Sequence, residues 1–393
     1  MEGATRHLAD EDDSRAVTSV RPLGWPQNPE RSLLSLSISE PQSPVGMKDE
    51  IQIRDKKIGS DHPIMITAEV GVTCNYDLEM SKELIDVVNE AGADAAKFIF
   101  WFPEEIMSDK TETYTYQTVD GEVTENMYEM LQELRFSLDE WRELKGYADK
   151  KGVILFSSVN CPSGIRYAEE IGLETYKLSS WDYNHHPLWR EIAAIGKPMF
   201  IDTGPVTPLE VAKVMDIMKE EGNEKSVLVH CFHTDEHGEM NMRALPYMKD
   251  AFRTPVGYSS GDQDVETDIM AVTLGASYLE KRLTLDRELP GHHHILCLEP
   301  NEFDEYVDQM RNVRKALGVK DLRPSESDLE ERRRFFRHIV ADQDIPEGTT
   351  LTADMLAGKR PEEGISPEYI DFFVGRTVDR DIEYNEALSW DDV

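Results

Sequence analysis

Eight short apolar runs, each followed by a stretch with helical spacing, recur between about residues 60 and 320. They are Ile64–Glu69, Ala95–Phe98, Ile154–Ser157, Thr175–Leu178, Met199–Asp202, Val227–His230, Pro255–Tyr258 and Ala276–Glu280. Short, near-continuous apolar runs read as strands buried on both faces. Strand and helix alternating in this way over about 250 residues predict an α/β fold, a (β/α)8 TIM barrel. Such barrels carry their chemistry at the C-terminal strand ends. Here those ends read Glu69, Lys97, Ser158, Lys177 with Ser180, Asp202 with Thr203, His230, Ser259 with Ser260, and Glu280 to Arg282. Cations and hydroxyls gathered at one mouth suit an anionic, phosphate-bearing substrate.

The flanks follow other patterns. Residues 1–55 mix Ser, Pro, Asp and Glu without a sustained period and read as a disordered N-terminal extension, expected to be dispensable, with Met47 a second possible start. The barrel is expected to span 56–322. Residues 323–334 are charged and read as a linker helix. Residues 335–393 read as a small α+β domain, with strand-like runs at His338–Ala341 and Leu388–Trp390 and capped turns opened by Thr352 and by Ser366-Pro367. A unit of that size is too small to hold its own pocket, so it should lid or bind.

Charge narrows the partners. Seventy-seven acidic against 42 basic residues give a net charge of −35, dispersed along the chain. That excludes nucleic acid and anionic membrane as expected partners, and it suits a salt-rich, halophilic cytoplasm. Cys74, Cys161, Cys231 and Cys297 are scattered with no CxxC pair, so neither a disulfide framework nor a zinc ribbon is readable. No apolar run reaches spanning length and no secretory h-region opens the chain, so a cytoplasmic protein is expected.

Several motifs, in order, carry a resemblance. Ala68–Asp77 (AEVGVTCNYD) resembles AEIGINHNGD, and Ala91–Phe98 (AGADAAKF) resembles AGADAVKFQ. Tyr176–Ser180 resembles YKIGSGE, while Gly196-Lys197-Pro198 with Asp202-Thr203-Gly204 resembles GKPIILSTG. Val229-His230-Cys231 is similar to LHC, and Lys359-Arg360-Pro361 with Gly364-Ile365-Ser366 is similar to KRPGxGIS. Over about residues 60 to 393 the chain thus resembles the sialic acid (N-acetylneuraminate) synthase family with its C-terminal SAF, or antifreeze-like, domain. The resemblance implies a cytoplasmic transferase that condenses phosphoenolpyruvate with an N-acylated hexosamine to give a nonulosonic acid and phosphate, for surface polysaccharide. It also implies a domain-swapped homodimer.

By the same resemblance, Lys97, Ser158, Lys177, Ser180 and Ser259 bind phosphoenolpyruvate, and Thr203 and His233 stand in substrate-binding positions. Glu69 and Asp182 handle protons, Asp182 standing where the family has Glu. Arg360 reaches the partner chain's sugar. The family also holds a divalent cation, Mn2+ or Mg2+, with a histidine after the seventh strand and another after the eighth. Here those positions are Gly261 and Arg282, which cannot ligate. Three readings stay open. Arg282 or Lys281 supplies the missing charge and polarises the aldehyde. Alternatively the metal has moved to His230, His293 or their neighbours His233, His237, His292 and His294, with Asp202 or Asp235. Or the chain is a catalytically silent paralogue that binds a sugar or sugar phosphate.

Overall fold

The computed structural model describes residues 48–231, 234 and 236–393. The expectations for the segment through Met47, and for His233 and Asp235, lie outside the described residues. The expected boundary of the extension needs correction, because residues 50–53 are ordered into a strand. Glu50–Ile53 (β1) and Lys56–Gly59 (β2) pair as an antiparallel hairpin. Its apolar alternation is short, and it sends Ile51, Ile53 and Ile58 into the barrel's interior cluster.

The barrel is the expected one. Met65–Glu69 (β3), Ala95–Ile99 (β4), Ile154–Ser158 (β7), Tyr176–Leu178 (β8), Met199–Asp202 (β9), Ser226–Cys231 (β10), Val256–Ser259 (β11) and Tyr278–Arg282 (β12) close in sequence order into one barrel of parallel strands. Between β4 and β7 the chain inserts an unexpected antiparallel hairpin, Thr113–Thr118 (β5) and Gly121–Asn126 (β6). Helices cover the outside. Those at Leu138–Lys151 and Pro208–Glu220 each open on a capping box, Ser137 with Glu140 and Thr207 with Glu210, which satisfies amide groups the helix leaves free.

Period-2 alternation divides the apolar residues into two layers. Met65, Ala95, Ile154, Phe156, Phe200, Val227, Val229 and Tyr278 fill the barrel with the β1–β2 isoleucines. Ile66, Ala96, Leu155, Ile201, Leu228 and Leu279 face the helices. The hairpin plugs the floor, so the chemistry is left to the other end.

The C-terminal unit has its own core of Ile339, Ile345, Leu351, Phe373, Val378 and Ile382. His338–Ala341 (β13) pairs antiparallel with Leu356–Lys359 (β14). Leu388 joins that core, but the strand expected at Leu388–Trp390 is absent: Trp390–Asp392 is a 3-10 turn. The helix linking the two units, Glu326–Phe335, buries no residue, as its charge all round would suggest. Among the described residues no helix is long and apolar enough to cross a membrane.

Candidate active site

Inward-facing residues at the C-terminal end of every barrel strand open on one cavity of about 640 Å³. Glu69, Lys97, Ser158, Lys177, Asp202, Cys231, Ser259 and Glu280 line its charged base, and Ser180, Asp182, Gly261, Arg282 and His293 line its sides. Of the candidate residues, the fold therefore brings together Glu69, Asp182, Arg282, Lys97, Ser158, Lys177, Ser180, Ser259 and His293.

Four others lie elsewhere. Thr203 and His230 each follow or precede an inward residue and so are not among the lining side chains. Thr203 Oγ1 donates to the Val229 carbonyl at 3.3 Å, and His230 Nε2 meets the Met240 carbonyl at 2.8 Å. Lys281 is fully buried on the helix side, where Nζ donates to Ser260 Oγ and Asp268 Oδ2, both at 2.9 Å. It cannot act at the mouth. Arg360 does not line its own chain's cavity; its guanidinium lies 5.6 Å from the Phe335 ring.

The expectation of a cationic mouth is corrected in kind. Lys97 Nζ is ion-paired with Glu69 and lies 3.3 Å from Glu280 Oε1. Lys177 Nζ donates to both Glu280 oxygens, at 2.6 and 2.7 Å, and lies 3.0 Å from Asp202 Oδ1. Tyr278 OH and Ser259 Oγ also donate to Glu280, at 2.7 and 3.2 Å. Lys97 and Lys177 are thus already matched by Glu69, Asp202 and Glu280. Against the effect of burial, Lys177 and Lys97, with the Tyr278 hydroxyl, hold the Glu280 carboxyl well below its ordinary range. Glu69 is fixed by its second oxygen, which accepts from Gly71 N at 2.7 Å. A side chain on Gly71 would meet Ile99 at 2.7 Å and Glu69 at 2.9 Å, so only glycine allows this approach.

The side walls differ from the base. Burial raises the Asp182 pKa to about 6, with His185 opposing the shift. Ile106, Met107, Met127, Met130 and Leu131 form an apolar wall from the insertion that carries β5 and β6. Among the described residues, and apart from Asp202 Oδ1 at the base, two buried atoms of lining side chains meet no hydrogen-bond partner: Trp101 Nε1, a donor, and Asn160 Oδ1, an acceptor. Trp101, Asn160 and the methionine wall are the contributors that strand-end reading missed; Glu280 was read at its strand end but given no role. The Asp120-Gly121 dipeptide between Tyr/Thr alternations is the hairpin signal that could have found the insertion.

A metal at the two positions implied by the resemblance does not fit. Arg282 Nη1 donates to the Gly261 carbonyl at 2.8 Å, and a side chain built on Gly261 would meet that guanidinium at 3.6 Å. A fixed cation fills the space. Nor do His230 and His293 belong to a common ligand set: among the described residues no three His, Cys, Asp or Glu side chains converge as a metal site. His293 is held neutral, its pKa lowered to about 2 by burial and then by Arg282. The triple-histidine run is packed, not solvated. His292 contacts the Tyr114 and Tyr116 rings, and His294 Nδ1 meets Thr284 Oγ1 at 2.7 Å.

The NeuB family model matches residues 84–321, and the SAF domain model matches residues 336–393. The chain is similar to the N-acetylneuraminate-9-phosphate synthase of Homo sapiens, 32% identical over 84% of this chain and 93% of that protein. It is also similar to the N,N'-diacetyllegionaminic acid synthase of Campylobacter jejuni, 29% identical over 82% of this chain and 98% of the relative. Among solved structures, the sialic acid synthetase of Leptospira borgpetersenii aligns with a TM-score of 0.64 at 27% identity, over 73% of this chain and 96% of that one.

Proposed function

The chain belongs to the NeuB family, with a SAF domain after the barrel, and from that premise we propose that it condenses phosphoenolpyruvate with an N-acylated amino-aldose. The observation that carries this reading is the convergence of Lys97, Lys177, Ser158, Ser180 and Ser259 on one cavity that also holds Glu69, Asp182 and Arg282. C3 of phosphoenolpyruvate bonds to the aldehyde carbon, and the aldehyde oxygen becomes an alkoxide. Arg282 stabilises that charge as it develops, and Asp182, which holds a proton more readily than an ordinary carboxyl, protonates the oxygen. Glu69 activates a water that adds at C2, and phosphate leaves with its bridging oxygen. The products are a 2-keto-3-deoxy acid and inorganic phosphate.

The unsatisfied indole N–H and amide oxygen of Trp101 and Asn160 match a secondary amide, which offers one acceptor and one donor. The adjoining methionine wall suits an acyl methyl group. Both support an acylamino sugar. The test is incubation with phosphoenolpyruvate and a panel of aldoses, with mass detection of an acceptor extended by the pyruvate skeleton. Such a product from N-acylated aldoses alone is the expected result. Phosphoenolpyruvate binding without product from any aldose would favour the silent paralogue.

Lys97→Ala should weaken phosphoenolpyruvate binding by about 1.5–3 kcal/mol, the scale of a charge-assisted contact. Calorimetric titration showing unchanged affinity would remove Lys97 from the phosphate site.

The SAF domain acts in trans in this proposal, as part of a swapped homodimer, because Arg360 lies outside its own chain's cavity. Mixing Arg360→Ala and Lys97→Ala chains should therefore restore activity. One mouth of the heterodimer would carry both lesions and the other neither. Absence of rescue under verified subunit exchange would place Arg360 in cis or outside the reaction.

A further inference from the structure

Phosphoenolpyruvate carries two to three negative charges, yet the cations that would receive it are already matched by carboxylates. Adding an anion beside three ionised carboxylates in a buried site is strongly opposed, and the least costly relief is to protonate one of them. The three are not equally held. Glu280 meets Lys97, Lys177, Tyr278 and Ser259. Glu69 meets Lys97 and Gly71 N. Among the described residues Asp202 Oδ1 makes no hydrogen bond and has the Lys177 ion pair alone, at 3.0 Å. Asp202 also occupies the place of a serine in the motif that Asp202-Thr203-Gly204 resembles.

We propose that Asp202 takes up a proton as phosphoenolpyruvate binds, releasing Lys177 to the substrate's phosphate or carboxylate. The proposal rests on the phosphoenolpyruvate reading of this cavity, and it makes Asp202 a positioning residue that acts through Lys177. The groups facing Asp202 are Lys177 on β8, Lys97 on β4, Glu280 and Tyr278 on β12, Cys231 on β10 and Tyr183 after β8, and burial holds the Tyr278 phenol protonated. Against burial, Asp202 and Glu280 hold Lys177 cationic, and Lys177, Lys97 and Tyr278 hold Glu280 ionised. Burial pushes the Cys231 thiol up to about 12 and the Tyr183 phenol higher, so neither is the group that changes charge near neutrality. Burial also raises Asp202, to about 6.

The sign follows by linkage. An anion raises the Asp202 pKa further, so the complex binds more protons than the free protein. Affinity should then fall as pH rises above about 6, by up to about tenfold per pH unit.

The test is calorimetric titration of the full chain with phosphoenolpyruvate at pH 6 to 8, in buffers of different ionisation heat. The wild type is compared with Asp202→Asn, and with Asp202→Ser in case the first does not fold. Ionisation of the substrate's own phosphate is common to all and cancels in the comparison. Wild type should take up more protons than either variant, about half a proton more at pH 6 and about one more at pH 8, and show the steeper pH dependence, and the variants should bind more tightly at pH 8. Equal proton counts with intact binding would overturn the role of Asp202 alone. Failure of phosphoenolpyruvate to bind wild type at any of these pH values would overturn the reading of the cavity and this proposal with it.

Discussion

Replacing Arg282 by alanine should lower kcat by about 10²–10³-fold while barely moving the KM for phosphoenolpyruvate, the loss seen when one preorganised donor to a developing oxyanion is removed. The guanidinium is fixed by Gly261 and stands where the resemblance implies a metal-bound histidine. Its charge is worth little to a neutral aldehyde and much to the alkoxide, so the effect belongs on kcat. Steady-state kinetics at saturating aldose read the split. Equal kcat in variant and wild type would remove Arg282 from the chemistry. A rise in KM alone would make it a ground-state binding residue.

Lys177→Ala should be the most damaging substitution for the fold at this site. It strands Glu280, which loses contacts at 2.6 and 2.7 Å, and frees Asp202 from its ion pair. Breaking a buried pair from one side costs about 3–5 kcal/mol, readable by chemical denaturation. The deficit should depend on pH. In wild type the Glu280 pKa lies below the ordinary carboxyl value, so its contribution is present above that value and is lost as pH falls through the folded pKa. Removing Lys177 deletes part of that contribution, so the gap between variant and wild type should be wide at neutral pH and shrink in acid. Asp202 has the opposite sign: its raised pKa makes its ionisation unfavourable above about pH 6, and Lys177 offsets this. Lys177→Met combined with Glu280→Gln removes both charges and should recover much of the stability without restoring phosphoenolpyruvate affinity. Full stability of Lys177→Ala at neutral pH would contradict the buried network.

Much of this site was readable because side chains along a strand alternate. Glu69, Lys97, Ser158, Lys177, Asp202 and Ser259 are inward positions at the C-terminal ends of their strands, and each lines the cavity. The misplaced candidates are one residue out of step. His230 precedes Cys231, Thr203 follows Asp202, and Lys281 lies between Glu280 and Arg282; a slip of one position moves a side chain to the helix layer. What alternation cannot convey is pairing across the barrel. Lys177 on β8 meets Glu280 on β12, strands that are not neighbours in the sheet, and only closure brings them together. The methionine wall was hidden for another reason. It comes from the insertion after β4, a hairpin and short helices that have no counterpart in the strand-then-helix repeat of the barrel. The floor hairpin was missed because two four-residue strands carry too few apolar positions to show a period.

The most direct test of the central claim is the rate of phosphate release from phosphoenolpyruvate, with and without an N-acylated amino-aldose, after exhaustive treatment with chelator. The account predicts aldose-dependent release at nearly the untreated rate, since Arg282 supplies the charge at the aldehyde oxygen. Complete loss of release with chelator, restored by Mn2+, would contradict that claim.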